Sequence, residues 1–141
     1  MSREIVRSDR VWDPDRVRHP GFDTGQPFVQ AVRASGKAML FISGQVAIDV
    51  DGRVVGVGDS RAQAQQALEN LRALLEAGGA ALADVVKLTQ YLTDMRHFPA
   101  VQEVRTRFWA GIPLPASTTV QITRLARAEL LVEIEAIAVV G

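Results

Sequence analysis

The closing run Leu130-Leu131-Val132-Glu133-Ile134-Glu135-Ala136-Ile137-Ala138-Val139-Val140 constrains this chain more than any other stretch. Side chains alternate across a strand. One face then carries Leu130, Val132, Ile134, Ala136 and Ala138, all apolar, and needs a core. The other carries Leu131, Glu133, Glu135, Ile137 and Val139. Carboxylates interleaved with large aliphatic groups do not describe a plain wet surface. Such a strand fits a sheet whose second face is covered by another subunit, and a working site is expected there.

The rest of the chain supplies neighbours for that strand. Residues 4–7 read as a short strand, followed by an irregular arm with Pro14, Pro20, Gly21, Gly25 and Pro27. Residues 28–34 read as a strand, and Ser35-Gly36-Lys37 as a turn. Residues 39–48 form a long apolar strand, with Leu40, Ile42, Val46 and Ile48 on one face and Met39, Phe41 and Ala47 on the other. Both faces being apolar argues that both are covered. The spacing of Ala64, Ala67, Leu68, Leu71, Leu74 and Leu75 predicts a helix over Ser60–Ala77. Ser60 with Gln63 has the form of a capping box, and Gly78-Gly79 is the stop. Residues 85–92 read as a strand. A second helix is expected over 98–110, with Pro99 in its first turn and Phe98, Val101, Val104, Phe108 and Trp109 buried. Arg96 and Arg105 read as exposed. The strands 117–123 and 130–140 close the chain. The fold class is therefore α+β in the order β-β-β-α-β-α-β-β, an approximately six-stranded mixed sheet with two helices on one face. Two helices cannot cover both faces, so an oligomer is the expected remedy.

Composition excludes several chemistries. The chain has 141 residues and is expected to be a single domain over 1–141, with 1–25 as N-terminal arm and first strand. It has no cysteine, so thiol nucleophiles, disulfides and cysteine-ligated metals are out. His19 and His97 are its only histidines and lie far apart, which argues against a histidine metal site or a Ser-His triad. The formal net charge is zero, so there is no electrostatic footprint for nucleic acid or an anionic membrane. No apolar run reads as a signal peptide or a span of about 20 residues, so no membrane is expected and cytoplasm is the default.

A set of short motifs falls in a telling order. These are Phe28-Val29-Gln30-Ala31-Val32, Ser43-Gly44-Gln45-Val46, Gln66-Ala67-Leu68-Glu69-Asn70-Leu71, Asp84-Val85-Val86-Lys87, Pro115-Ala116 and Val132-Glu133-Ile134-Glu135-Ala136-Ile137-Ala138. Together they resemble the RidA (YjgF) family from about residue 26 to the end. The resemblance implies a chorismate mutase-like fold and a homotrimer with clefts between subunits. It implies hydrolysis of a small reactive enamine or imine to a 2-keto acid and ammonia, without metal or cofactor. The family also carries older labels as an endoribonuclease and a translation inhibitor.

The resemblance also implies site residues. In the deaminating members an arginine follows Pro-Ala, and its planar fork holds the substrate carboxylate. Ser117 stands there in this chain. A hydroxyl brings no charge, and losing a charged hydrogen bond weakens binding by about 10- to 150-fold. Phe28 takes the place of a family tyrosine, Gln102 that of an asparagine in the second helix, and Thr119 that of a residue that is cysteine in some members. Tyr91 occupies a position that is usually aromatic. The backbone of Ser43 and Gly44 lines the family's pocket, and Glu133 is the residue that positions or activates the hydrolytic water. A carboxylate in a partly apolar cleft can trade protons near neutral pH. Bland roles stand beside these: Glu133 and Glu135 pairing with arginines at a subunit boundary, Phe28 as core, Ser117 and Thr119 as ordinary strand formers. Three functions follow: an enamine or imine hydrolase of doubtful archetypal 2-imino acid activity, a non-catalytic trimer binding a small metabolite, and, ranked last on charge, an endoribonuclease.

Overall fold

The alternation along the last strand carries over directly into burial. In β6 (Val132–Val140), Val132, Ile134, Ala136 and Ala138 are buried, and the residues between them are half-buried. The computed structural model describes residues 3–13, 16, 31–34 and 38–141, with backbone alone for 3–5 and 32–34. The expected turn at 35–37, Phe28, His19 and most of the arm lie outside the described residues.

β6 is central because it satisfies both edges of its backbone. β3 (Ala38–Val46) pairs with it antiparallel on one side and β4 (Val85–Leu92) antiparallel on the other. β5 (Ala116–Gln121) runs parallel to β4 at the sheet's edge. Beyond β3 lie β2 (Ala31–Ala34) and then β1 (Arg3–Val6), each antiparallel to its neighbour. Helix α1 (Ser60–Ala77) packs on β3 and β6, and α2 (Phe98–Phe108) packs on α1. No helix among the described residues is long and apolar enough to cross a membrane.

α1 keeps the bounds its spacing predicts, and its stripe Ala64, Ala67, Leu68, Leu71, Leu74 and Leu75 is buried. Its cap differs. Asp59, not Ser60, caps the helix, accepting from the Ala62 N–H at 3.1 Å. Gln63 is fully buried and does a different job. Its amide donates to Gly56 O at 3.1 Å and Glu129 O at 2.7 Å, and its Oε1 accepts from the Leu131 N–H at 2.8 Å. It thereby ties the start of α1 to the entrance of β6. Asn70 on the same helix donates to Val46 O and Ile48 O at 3.1 and 2.9 Å, holding the exit of β3.

β3 does not keep a single phase. Ile42 faces Ala136 and Gln45 faces Ile134, so β3 uses both Ser43 and Gly44 where β6 uses Glu135 alone. This is a β-bulge. After it, Gln45 turns into the core, Val46 is half-buried, and Ala47 and Ile48 are both buried. The expected grouping of Val46 and Ile48 against Ala47 is thus corrected by the extra residue.

Among the described residues no helix covers the other face of the sheet. Phe41 is 41% exposed there, beside half-buried Ile137 and Val139. A depression of about 270 Å³ on this face is lined by Phe41, Lys87, Thr89, Glu135 and Ile137.

Candidate functional site

The bulge fixes the first part of the site. A Cβ added to Gly44 would lie 2.0 Å from Glu133 Oε1 and 2.7 Å from its carboxyl carbon. The carboxyl group of Glu133 therefore rests against the Gly44 α-carbon, in space that only glycine leaves open. Gly44 does not have positive φ, so it is required here for room and not for backbone freedom.

The strand register then lays out what surrounds it. Glu133, Tyr91 and Val120 form one row across β6, β4 and β5, and Glu135, Thr89 and Thr118 form the next. Both rows lie on the helix-free face. The Tyr91 hydroxyl donates to Glu135 Oε1. That bond, then burial, then the charges of Glu135 and Glu133 push the phenol up to about 12. Tyr91 is thus a fixed neutral donor at physiological pH. Glu133 is raised above the ordinary carboxylate range, first by burial and then by the charge of Glu135. Among the described residues neither Glu133 nor Glu135 forms an ion pair with an arginine, so the boundary-pairing role is not realised within one chain. Lys87 Nζ, on the same face, donates to Thr118 Oγ1 at 2.6 Å.

Ser117 and Thr119 belong to the opposite face. Ser117 is in line with Leu88 and Ala136, and Thr119 with Gln90 and Ile134, all of them core positions. Thr119 Oγ1 accepts from Gln90 Nε2 at 2.8 Å. Ser117 Oγ accepts from Arg105 Nη1 at 2.6 Å. Gln102 stands one turn before Arg105 on α2, and its Oε1 is buried without a partner. The residues singled out in the sequence thus form two groups. Ser43, Gly44, Tyr91 and Glu133 gather on or beside the helix-free face, while Gln102, Ser117 and Thr119 gather where α2 meets the edge strand.

Arg105 was expected to be exposed, and this is corrected: it is only 8% exposed. The signal was present, because Arg105 lies four residues after Val101 and four before Trp109, inside the apolar stripe of α2. Glu135 as the acceptor for Tyr91 was likewise underweighted; cross-strand register alone brings it into reach. Among the described residues no group of three or more His, Cys, Asp or Glu side chains is placed to hold a metal ion.

Residues 21–140 match the family model described as Endoribonuclease L-PSP. Protein DfrA of Myxococcus xanthus is 43% identical over 139 residues, covering 99% of this chain and 97% of that protein. The 2-iminobutanoate/2-iminopropanoate deaminase of Mus musculus is 40% identical over 115 residues, 82% of each chain. The structure of TdcF from E. coli with bound serine superposes with a TM-score of 0.81 at 29% identity, covering 98% of this chain and 99% of that one.

Proposed function

This chain belongs to the endoribonuclease L-PSP family, also called RidA or YjgF, and on that premise we propose that it hydrolyses a small imine or enamine in clefts formed between copies of itself. The observation that carries the reading is the Glu133 carboxyl, seated against Gly44 at the bulge, with its pKa raised first by burial and then by the charge of Glu135.

The chemistry asks little more of the chain. Water adds to the imine carbon and the imine nitrogen gains a proton. One proton of the added water passes to the amine nitrogen, and the carbinolamine expels ammonia as its remaining hydroxyl proton is taken up by the carboxylate, leaving a carbonyl. A carboxyl group with a raised pKa can give the first proton and take back the second. The Ser43-Gly44 backbone walls one side of this acid, and Tyr91 keeps Glu135 in place. Relatives bearing the name 2-iminobutanoate/2-iminopropanoate deaminase support this substrate class.

The inter-subunit cleft follows from the division of the site. Gln102, Ser117 and Thr119 of one copy lie on the other side of the sheet from its Glu133. A substrate reaches both groups only where two copies meet. We therefore read the assembly as a chorismate mutase-like homotrimer whose bare sheet faces, with Phe41, Ile137 and Val139, are turned toward one another.

The test is to generate 2-aminoacrylate in the presence of the protein and follow ammonia and 2-keto acid. Wild type should exceed the protein-free rate, and Glu133→Gln should fall back to it. Equal rates with and without protein, for several imines, would end the deaminase reading. A second reading is favoured by the uncharged Ser117 at the family's arginine position: a trimer that binds a small metabolite without turning it over. It predicts saturable binding without product, and Glu133→Gln would leave that binding nearly intact.

A further inference from the structure

Arg105 presents an unsolved electrostatic problem. Arg105 is only 8% exposed as a residue, yet no carboxylate among the described residues pairs with its guanidinium. Burial lowers its pKa and no acid offsets this. Among the described residues its side chain has one hydrogen bond, to Ser117 Oγ, a neutral acceptor, and the Trp109 ring centroid lies 6.0 Å away. A buried cation with so little compensation is costly to a fold. Such a group persists where an anion completes it.

The surroundings are shaped for a ligand. Ser117 Oγ accepts from Arg105, so its own proton is free to donate outward. Ser117 is exposed on the edge strand, so the pair stands at an opening and not in a sealed core. Polar atoms without partners flank it. Gln90 is fully buried; its amide nitrogen is bound to Thr119, and its Oε1 has no donor. Gln102 Oε1 and the Trp109 indole N–H, one turn to either side of Arg105 on α2, are also buried and unsatisfied. Orphaned groups of this kind are rare in finished interiors.

We propose that Arg105 and Ser117 together hold the carboxylate of a small 2-imino or 2-keto acid, the guanidinium being supplied from α2 and not from β5. The inference rests on the cleft reading above and deepens it. The carboxylate accepts from the Arg105 N–H groups and the Ser117 hydroxyl. The uncharged residue at position 117 is then no loss of carboxylate recognition. It is the anchor for a cation that arrives from the neighbouring helix.

The test uses the full chain and 2-ketobutyrate as probe, with 2-oxobutanamide as its neutral counterpart, in titration calorimetry. Wild type should prefer the acid. Arg105→Gln should weaken 2-ketobutyrate by roughly 10- to 150-fold and abolish the preference. Arg105→Lys, which keeps the charge and loses the fork, should fall between them. Ser117→Arg placed on the Arg105→Gln background should restore acid binding. Melting curves check folding: removal of an unpaired buried charge should not lower the Tm. An unchanged dissociation constant in Arg105→Gln overturns the assignment. So does a variant that loses its oligomeric mass yet binds the acid as before, since the missing anion would then be a neighbour's carboxylate. Turnover separates the two readings. Arg105-dependent binding without imine hydrolysis removes the deaminase and keeps this site; hydrolysis with the same KM in Arg105→Gln does the reverse.

Discussion

Gly44→Ala is the most exacting perturbation of the candidate site. The added methyl would sit 2.0 Å from Glu133 Oε1, 2.7 Å from Cδ and 2.8 Å from Cγ. Non-bonded carbon–oxygen contacts shorter than 3.0 Å are essentially never seen, so Oε1 must retreat by at least about 1 Å. All three nearest atoms belong to the Glu133 side chain, and none is backbone. The cheapest escape is therefore rotation of the carboxyl group out of its seat. Gly44 lacks positive φ, so alanine brings no strain of its own, and the loss of unfolded-chain freedom returns about 0.4–1 kcal/mol. Set against an overpacking cost of about 1–3 kcal/mol, the net destabilisation should lie between about 0 and 2.6 kcal/mol. A catalytic group displaced by about 1 Å costs on the order of 100-fold in rate. The expected result is a folded, assembled protein with about one-hundredth of the wild-type kcat for imine hydrolysis. Denaturant melts and ammonia release measured on the same sample read the two effects separately. Full activity in Gly44→Ala would refute the placement of the reacting acid at the bulge. Loss of fold would show that the glycine serves packing alone.

Other expectations follow from the same geometry. Because Glu133 is raised in the folded state, folding favours its neutral form, so its contribution to stability falls as pH rises from the ordinary carboxylate range through the raised value; Glu133→Gln should remove that slope in pH-dependent melts. Tyr91 is the chain's single tyrosine, so phenolate absorbance should emerge near pH 12 and not near 10, and an ordinary titration would contradict its bond to Glu135. Gln63→Ala strands Gly56 O, Glu129 O and the Leu131 N–H, and should cost about 2–4 kcal/mol in urea unfolding. Sedimentation should give three times the chain mass, and a stable monomer would count against the composite cleft.

The legible parts of this sequence were those governed by a single period. The alternation of β6, the bounds of α1 and the run of β4 each depend only on local spacing, and each held. What failed to read depends on a partner. The bulge at Ser43-Gly44 exists only in register with Glu135, so no inspection of residues 39–48 alone reveals the change of phase. Asp59 and not Ser60 is the cap because the helix begins at Ser60 itself, one residue earlier than a Ser60–Gln63 box implies. Arg105, a charged residue within the apolar stripe of α2, reads as surface by chemistry but sits in the interior by spacing. Among the candidate site residues, Glu133 beside Gly44 was readable, while the separation of Ser117 and Thr119 onto the other face required the three-strand register.

In the proposed trimer, a sheet that presents its acid on one side and its cation on the other spreads the consequences of mutation around the ring. A chain damaged at Glu133 still offers its neighbour an intact Arg105 corner, and a chain damaged at Arg105 still offers an intact carboxyl. Co-expressed, the two inactive forms should complement one another, with one undamaged cleft in every mixed trimer. Neither lesion should then behave as fully dominant, and the two halves are free to diverge under separate selection.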